Sequence, residues 1–254
     1  MEMHSYPPGR PSWVDLGTPD PAAAAEFYGG LFGWAGEEGP PESGGYRMCL
    51  MNGYPVAGIG PMRHSGRPFW ATYISVVDAD TTAKSVRDAG GQVYLEPMDV
   101  MTWGRMAALS DPTGAAFAVW QPRDHIGAGL WGEPGACCWN ELTTREPAAA
   151  AEFYHAVFGW TARTEPMGGF PYTVWLRGDQ WIGGMLTMDE KWPADIPAHW
   201  MVYFAATDTD TAAARARELG GAVLVPPTDI QPGRFTVLGD PQGAVFSIIT
   251  PPTG

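Results

Sequence analysis

The amino-acid sequence predicts an α+β protein with two tandem domains, each made of two strand–helix–strand–strand–strand (βαβββ) modules. The main observation is a repeat, since residues 13–34 recur as residues 139–160. Both copies contain Pro-Ala-Ala-Ala-Ala-Glu-Phe-Tyr followed by Phe-Gly-Trp, at a constant offset of 126 residues, which indicates a tandem duplication. In both halves, turns rich in glycine and proline separate short apolar runs, as expected for alternating strands and helices.

The duplication also predicts the domain organisation of this chain of 254 residues. We expect a first domain at 1–122, a linker at 123–135 that contains glycine and proline, and a second domain at 136–254. Each half is long enough to bury a hydrophobic core of its own. A hydrophobic content of 45% with 17% charged residues is typical of a folded globular protein.

The first helix has clear start and stop signals. It should follow a short strand at 13–17, with Asp20 as the N-cap and Pro21 at the first helical position. Gly33 should end it. Further strands are predicted at 46–51, 56–59, 70–77, 92–97, 105–109 and 115–121, with a second helix at 81–89. The second half repeats the pattern, with strands at 200–206, 222–225, 233–238 and 244–249 and a helix at 211–219.

The charge and cysteine content exclude several classes of protein. A net charge of −13 argues against binding to nucleic acid or to an anionic membrane surface. We expect no membrane span, because no apolar run approaches about 18 residues, and the N-terminus lacks the pattern of a secretory signal. The three cysteines form neither a disulfide framework nor a metal-binding pair, so a reduced, cytoplasmic location is expected.

The repeated motifs resemble those of a known superfamily. Phe-Tyr, then Phe-Gly-Trp, Ala-Gly-Gly or Leu-Gly-Gly and Asp-Pro-x-Gly occur in both halves. They resemble the glyoxalase/bleomycin-resistance/extradiol-dioxygenase superfamily, also called vicinal oxygen chelate. The resemblance implies tandem glyoxalase-like domains, in which each pair of modules forms a curved eight-stranded sheet with the active site inside the cup. Residues 120–129 and 139–142 are similar to a tandem actinobacterial subgroup that includes accessory proteins of anthracycline-type pathways.

The metal ligands of that superfamily are missing from the matching positions. The resemblance implies a first ligand at Trp13 and Trp139, another at Ala71 and Met201, and a last one at Ala118 and Ser247. Indole, methyl and thioether groups cannot replace imidazole and carboxylate ligands for the usual cations. The five histidines, at positions 4, 64, 125, 155 and 199, show no ligand spacing. We therefore predict that the protein uses no metal and no other cofactor.

Two carboxyl groups are candidates for catalysis. Strand alternation places Asp15 on the same face as Trp13, and Glu141 on the same face as Trp139. If the tryptophans point into the cups, the carboxyl groups do too, and an aromatic wall would raise their pKa values for acid–base work. The alternative is that each carboxyl group accepts hydrogen bonds from neighbouring strands or an arginine and only stabilises the fold.

Two arginines and a set of aromatic residues complete the candidate site. Arg105 and Arg234 occupy matching positions, where they could pair with these carboxylates, anchor a ligand, or reflect only the shared fold. His199 and Ser247 add polar groups to the second cup, which we slightly favour as the working site. Packing in the core is the alternative for each tryptophan. The predicted aromatic wall consists of Trp13, Tyr46, Trp70, Trp103, Trp139, Tyr172, Trp175 and Trp200.

The sequence supports three candidate functions, and the best supported is given first. The first is a metal-independent enzyme or accessory protein of secondary metabolism that binds a large aromatic, polyketide-like compound, with Asp15 or Glu141 transferring a proton. The second is binding alone, as in sequestration of a toxic compound, and the third is a metal-dependent glyoxalase or dioxygenase. The resemblance also implies that a partner oxygenase is conceivable, and a monomer or a homodimer would fit the sequence.

Overall fold

The computed structural model describes residues 1–62, 66–167 and 170–251, so His64 lies outside the described residues. The first sheet contains β1 (Pro11–Thr18), β2 (Ala35–Glu38), β3 (Arg47–Met51), β4 (Tyr54–Pro61), β5 (Phe69–Ser75), β6 (Gln92–Val100), β7 (Gly104–Ser110) and β8 (Ala116–Pro122). The second sheet contains β9 (Cys137–Thr144), β10 (Thr161–Met167), β11 (Phe170–Arg177), β12 (Gln180–Thr187), β13 (His199–Ala205), β14 (Ala222–Ile230), β15 (Gly233–Gly239) and β16 (Val245–Thr250). The helices are α1 (Pro21–Phe32), α2 (Ala79–Asp88), α3 (Pro147–Phe158) and α4 (Thr209–Glu218).

Both sheets have the same topology, which confirms the predicted fold class. The strand orders are β2-β3-β4-β1-β5-β8-β7-β6 and β10-β11-β12-β9-β13-β16-β15-β14. Within each module the first and last strands are parallel neighbours, as in β1–β4 and β5–β8. The two modules of a sheet meet at an antiparallel pair, β1–β5 in the first sheet and β9–β13 in the second.

The edge strands differ most from the sequence prediction. The sequence predicts no strand at the position of β2, because its four residues show no alternation of apolar and polar side chains, and all four are exposed. Strands β6 and β14 extend beyond the predicted ends, 97 and 225. Register shifts interrupt both strands, and a proline at an edge does not end a strand when its missing N–H faces solvent.

The signals that bound the first helix act as predicted. The side chain of Asp20 accepts hydrogen bonds from the backbone N–H groups of Ala22 and Ala23. Gly33 ends α1 in the left-handed conformation with φ 75°, which a glycine adopts without steric cost. In the second copy Glu146 precedes α3 but makes no side-chain capping bond. None of the helices in the described part of the chain has the length and apolar content that a membrane span requires.

Two hydrophobic cores are each shared between the two halves, contrary to the expectation of one core in each half. On α1, the rings of Phe27 and Tyr28 pack against Phe246 of β16 with centroid distances of 6.4 and 5.4 Å. The Tyr28 hydroxyl donates to Asp240 in the second half at 3.1 Å, and Tyr154 donates to Asp111 in the first half at the same distance. Each helix that carries the repeated motif therefore packs between the strands of its own module and the opposite half. The boundaries at 122 and 136 stay a prediction.

Candidate functional site

The strand register places one aromatic–carboxyl pair in each sheet on the face away from the helices. In the first sheet Trp13 pairs with Tyr73 and Asp15 with Ala71, so alternation puts these four side chains on one face. We call this face of the first sheet the first cup. The second cup is the matching face of the second sheet, where Trp139 pairs with Tyr203 and Glu141 with Met201.

In the first cup Asp15 is held through one of its two oxygens. The Tyr73 hydroxyl donates to Asp15 Oδ2 at 2.8 Å, and the Tyr46 hydroxyl lies 3.4 Å from the same oxygen. Trp13 Nε1 donates to the Tyr46 hydroxyl at 3.0 Å, which orients the phenol. Among the described residues no donor reaches Asp15 Oδ1. One carboxyl oxygen therefore remains free to contact a bound molecule.

In the second cup Glu141 uses both oxygens. The Tyr172 hydroxyl donates to Glu141 Oε2 at 2.6 Å, and the Tyr203 hydroxyl donates to Oε1 at 2.9 Å. Trp139 Nε1 donates to the Tyr172 hydroxyl at 2.9 Å, as Trp13 does in the first cup. Glu141 is also nearly closed off from solvent, with 7% of its surface exposed. Both of its carboxyl oxygens therefore accept a hydrogen bond from the protein.

A glycine makes room for each tyrosine. Gly58 of β4 is the parallel partner of Asp15, and Gly184 of β12 is the parallel partner of Glu141. A Cβ atom at Gly58 would overlap the Tyr46 hydroxyl, and one at Gly184 would overlap the Tyr172 hydroxyl. The tyrosine can therefore cross the strand and reach the carboxyl group only because these positions lack a side chain.

Burial changes the acid–base properties of both carboxyl groups. Desolvation raises the pKa of Asp15 to about 6, although the hydrogen bonds from Tyr73 and Tyr46 act in the opposite direction. Desolvation likewise raises the pKa of Glu141 against the effect of its two tyrosine donors. The pKa values of Tyr46 and Tyr73 are raised well above the usual range, so these phenols stay protonated as donors.

The first cup contains a cavity of about 400 Å³. This volume lies within the range of about 300–1,000 Å³ that is usual for small-molecule sites. A second hollow, of about 290 Å³, lies at the surface between α1 and α4, away from the carboxyl groups. Aromatic and thioether groups dominate the cavity of the first cup, with Asp15 among them, and its lining includes Trp13, Tyr46, Met48, Tyr73, Met98, Trp103, Met106, Trp120 and His125.

Three of the predicted wall residues lie in the core instead. Trp70, Trp175 and Trp200 are buried among the helices, and the Nε1 groups of Trp70 and Trp200 donate to the hydroxyls of Tyr28 and Tyr154. Trp70 pairs with Leu16, one residue out of phase with Asp15, so it faces the opposite side of the sheet. The predicted places of Trp13, Tyr46 and Trp103 in the first cup and of Trp139 and Tyr172 in the second agree with the structure.

Neither arginine contacts a cup carboxyl group. Arg105 Nε and Nη2 donate to Asp80 at 2.7 and 2.9 Å, and its Nη1 donates to Asp99 at 3.0 Å. Arg234 has the equivalent pairs with Asp210 and Asp229. Of the alternatives for the two arginines, pairing with Asp15 and Glu141 does not occur, because both side chains reach an acidic residue at the start of the neighbouring helix.

The two polar residues predicted for the second cup differ in position. His199 begins β13, and its Nδ1 donates to the carbonyl oxygen of Pro197 at 2.9 Å. Ser247 of β16 is completely buried and is the parallel partner of Tyr203. Ser247 thus belongs to the floor of the second cup, whereas the imidazole of His199 is already engaged by the backbone.

Four further residues of the cups are not predicted from the sequence, namely Tyr73, Tyr203, Trp120 and His125. A repeated Tyr two positions after Ala71 and Met201 was the signal for the first two, because strand alternation keeps such residues on one face. His125 was considered only as an isolated histidine. Its position against Trp13, with ring centroids 4.6 Å apart, depends on the path of the linker and has no signal in the sequence.

The residues that line the cups do not suit the metal ion that the resemblance to the superfamily implies. The register aligns Trp13, Tyr73 and Ala118 across β1, β5 and β8, so Tyr73 rather than Ala71 stands beside the other two. An indole, a protonated phenol and a methyl group supply no ligand set for a divalent cation. Within the described ranges, no three His, Cys, Asp or Glu side chains come together in a group suited to a metal.

The fold and the cups define a protein of paired βαβββ modules, and comparisons with known proteins identify the family. The profile of the glyoxalase/bleomycin resistance protein/dioxygenase superfamily matches residues 10–119, and that of a glyoxalase-like domain matches residues 139–249. Two solved structures share the fold at low sequence identity. A Mn(II)-bound glyoxalase from Novosphingobium aromaticivorans has a TM-score of 0.65 at 18% identity and covers 95% of this chain and 82% of its own. The 2,3-dioxygenase LapB from Pseudomonas sp. KL28 has a TM-score of 0.64 at 13% identity, covering 96% and 92%.

Full-length relatives are more similar in sequence. "Putative glyoxylase CFP32" of Mycobacterium tuberculosis (strain CDC 1551 / Oshkosh) is 45% identical, covering 97% of this chain and 96% of the relative. The anthracycline biosynthesis protein DnrV of Streptomyces peucetius is 40% identical, covering 97% of this chain and 95% of the relative. The chain therefore belongs to the glyoxalase/bleomycin resistance protein/dioxygenase superfamily.

Proposed function

We propose that the protein binds a large, planar aromatic compound in the first cup, and that Asp15 transfers a proton to or from that compound without a metal. The observation that carries this proposal is the cavity of about 400 Å³ that combines aromatic and thioether walls with one partly buried carboxyl group. Apolar pockets with a few convergent polar groups are the usual form of small-molecule sites. The similarity to an anthracycline biosynthesis protein supports a polycyclic aromatic ligand.

The state of Asp15 suits a general base. With a pKa raised to about 6, the group is mostly ionised near pH 7, yet it binds a proton more readily than an exposed aspartate. Asp15 Oδ1 would accept a proton from a hydroxyl group, or from a carbon next to a carbonyl group, of the bound compound. The electron pair left behind is delocalised into the aromatic or carbonyl system. Return of the proton to another atom completes a tautomerisation in which nothing is oxidised or reduced.

The geometry favours the first cup as the working site, whereas the sequence slightly favours the second. Asp15 has a free oxygen beside a described cavity, whereas both oxygens of Glu141 accept hydrogen bonds from tyrosines. Glu141 is also only 7% exposed, so a bound molecule reaches it less readily than it reaches Asp15. We therefore assign the working role to Asp15 and a structural role to Glu141.

Binding without catalysis is the second candidate function. The flexible side chains of Met48, Met98 and Met106 line the cavity, and thioethers adapt to apolar ligands of varied shape. Such a wall would suit a protein that sequesters an aromatic compound. In that case Asp15 would only orient the ligand through a hydrogen bond.

Two matched variants distinguish these functions. Binding of a panel of hydroxyanthraquinones is followed by tryptophan fluorescence, and solvent-exchangeable ring positions are followed by NMR in D2O. For an enzyme, Asp15→Asn lowers the exchange rate by about 10²–10⁴-fold, as expected for loss of a general base, while the Kd changes only a few-fold. Glu141→Gln is the control and should leave both quantities near the wild-type values.

Three other outcomes would change the proposed function or contradict it. Exchange that depends on Glu141 instead of Asp15 would move the working site to the second cup. Binding without any exchange in the wild-type protein would support sequestration. Absence of binding to every member of the panel would contradict the proposal.

A further inference from the structure

The linker contributes one side chain to the first cup. The backbone N–H of His125 donates to the carbonyl oxygen of Trp103 at 3.1 Å, and Trp120 Nε1 donates to the carbonyl oxygen of His125 at 2.8 Å. The imidazole packs edge-to-face against Trp13 and Trp120, with ring centroids 4.6 and 5.8 Å away. Backbone bonds and two indoles thus fix this ring in the wall of the cavity.

The imidazole of His125 has no hydrogen-bond partner among the described residues. Its Nε2 is buried without a partner, and no donor or acceptor from the described part of the chain reaches its Nδ1. Nδ1 is the nitrogen of this cavity-lining ring that is not closed off, so it is the one that a bound molecule can reach. The N–H groups of the two neighbouring indoles do have hydrogen-bond partners. Trp13 Nε1 donates to the Tyr46 hydroxyl, and Trp120 Nε1 donates to a backbone carbonyl oxygen.

We propose that His125 donates a hydrogen bond from Nδ1 to a carbonyl oxygen of the bound compound. This inference rests on the proposed function and narrows its substrate class. The ligand of the first cup is then a planar polycyclic compound with a ring carbonyl facing His125 and an ionisable hydroxyl or carbon facing Asp15. An oxygen of that carbonyl would gain negative charge when Asp15 removes the proton, and a fixed donor at that point stabilises it.

The surroundings of His125 support a neutral donor. Desolvation lowers the pKa of His125 to about 4, so the ring is uncharged near pH 7. Nε2 lies in the buried, apolar part of the wall, where an unprotonated nitrogen costs less than an unpaired N–H. The proton is therefore placed on Nδ1. A neutral imidazole can polarise a carbonyl group without taking part in proton exchange with solvent.

A matched pair of ligands tests this role in the full-length protein. The ligands are 2-hydroxyanthraquinone and 2-hydroxyanthracene, which have the same ring system and hydroxyl group but differ in the carbonyl groups. His125→Phe keeps an aromatic ring against Trp13 and removes both nitrogens. We expect this variant to bind 2-hydroxyanthraquinone about tenfold more weakly, as for one lost hydrogen bond, and 2-hydroxyanthracene within twofold of wild type.

A second variant and a spectroscopic signal separate a ligand contact from a packing effect. His125→Asn offers an amide N–H near the place of Nδ1 and should restore most of the affinity for the quinone. The infrared carbonyl band of the bound quinone should lie at lower wavenumber in wild type than in His125→Phe. Unfolding curves of all variants confirm that each is folded.

The outcomes distinguish failure of the role of His125 from failure of the proposed function. If wild type binds both ligands but His125→Phe weakens both equally or neither, or if the carbonyl band does not move, the role of His125 is wrong and the proposed function stands. If wild type binds neither ligand nor any other hydroxyanthraquinone, both proposals fail together.

Discussion

The first and second cups have the same carboxyl–tyrosine–tryptophan network but different walls. In both, an indole N–H orients a tyrosine that donates to the carboxyl group, and a glycine opposite makes room for that tyrosine. Asp15 is one methylene shorter than Glu141 and accepts both of its tyrosines on one oxygen, whereas Glu141 spreads them over two. The side chains of Asp15 and Glu141 differ by one methylene group, and only Asp15 keeps an oxygen without a donor among the described residues.

The walls diverge through residues outside the repeated motif. Trp120 of the first cup corresponds by register to Ile249 of the second, and Trp103 corresponds to Pro232 on the equivalent hairpin turn. His125 comes from the linker, which follows only the first half. The carboxyl–tyrosine–tryptophan network is therefore common to both halves, whereas the residues of the surrounding walls differ. Four variant pairs test this difference.

The largest expected effect is a change of stability with pH. Burial raises the pKa of Asp15 from 3.8 to about 6, so the folded protein holds this proton more tightly than the unfolded chain. The stabilisation is complete below about pH 4 and is lost as the pH rises through about 6. Asp15→Asn removes this dependence. Its free energy of unfolding relative to wild type should rise by at most about 3 kcal/mol between pH 4 and pH 7.

Urea unfolding at several pH values measures this difference. His125 acts in the opposite direction, because its lowered pKa, about 4, means that stability is lost as the pH falls from about 6.5 through 4. The two groups therefore partly cancel in wild type, and only variant-minus-wild-type differences are informative. Glu141→Gln should show a change of the same sign as Asp15→Asn. A flat difference for Asp15→Asn would contradict the desolvated state of this carboxyl group.

The next effect concerns the wall of the first cup. Trp103 lines the cavity, and large aromatic side chains dominate binding energies in such sites. Trp103→Ala should weaken binding of a hydroxyanthraquinone by roughly 2 kcal/mol, about 30-fold in Kd. Pro232→Ala at the corresponding turn is the control and should leave Kd unchanged. Equal losses in the two variants would mean that the cups do not differ as described.

A smaller effect is expected where the two cups are alike. Gly58→Ala and Gly184→Ala each place a methyl group where a tyrosine hydroxyl lies, so the phenol must move away from its carboxyl group and its indole. Each variant should lose about 1–2 kcal/mol of stability, as for one or two hydrogen bonds. Ligand affinity should fall only for Gly58→Ala. Calorimetry and fluorescence titration together check this, and loss of affinity in Gly184→Ala would implicate the second cup.

The smallest effect is expected for the arginines. Arg105→Ala and Arg234→Ala remove exposed ion pairs, which contribute little because water screens them. Neither change should alter the Kd of the ligand by more than twofold. A larger loss of affinity in Arg105→Ala alone would favour the alternative in which this guanidinium anchors a ligand.

Much of the fold could be predicted because its signals are local. Asp20, Pro21 and Gly33 mark the ends of α1 through their own backbone chemistry, and the repeat then transfers the assignment to α3. The pairing of Trp13 with Asp15 on one face also needed only strand alternation, and the structure agrees. The edge strand β2 lacks any such signal, because neither of its faces is buried.

The positions of the other tryptophans could not be predicted by the same rule. Both faces of the central strands are apolar, since one face lines a cup and the other packs in a core that contains helices of both halves. Without alternation between polar and apolar residues, Trp70 and Trp200 could have faced either way. Their hydrogen bonds to Tyr28 and Tyr154 are made across the shared cores, between elements far apart in sequence.

The sequence by itself determined the duplication, the two modules in each half and the placement of Asp15 and Glu141 inside the cups, because repeats, caps and strand alternation are written in neighbouring residues. Only the tertiary structure decided that the halves share two cores, that Asp15 keeps an oxygen without a protein donor while Glu141 does not, and that His125 enters the first cup. Those features depend on contacts between distant segments, where a difference of one methylene or the path of a linker sets the geometry.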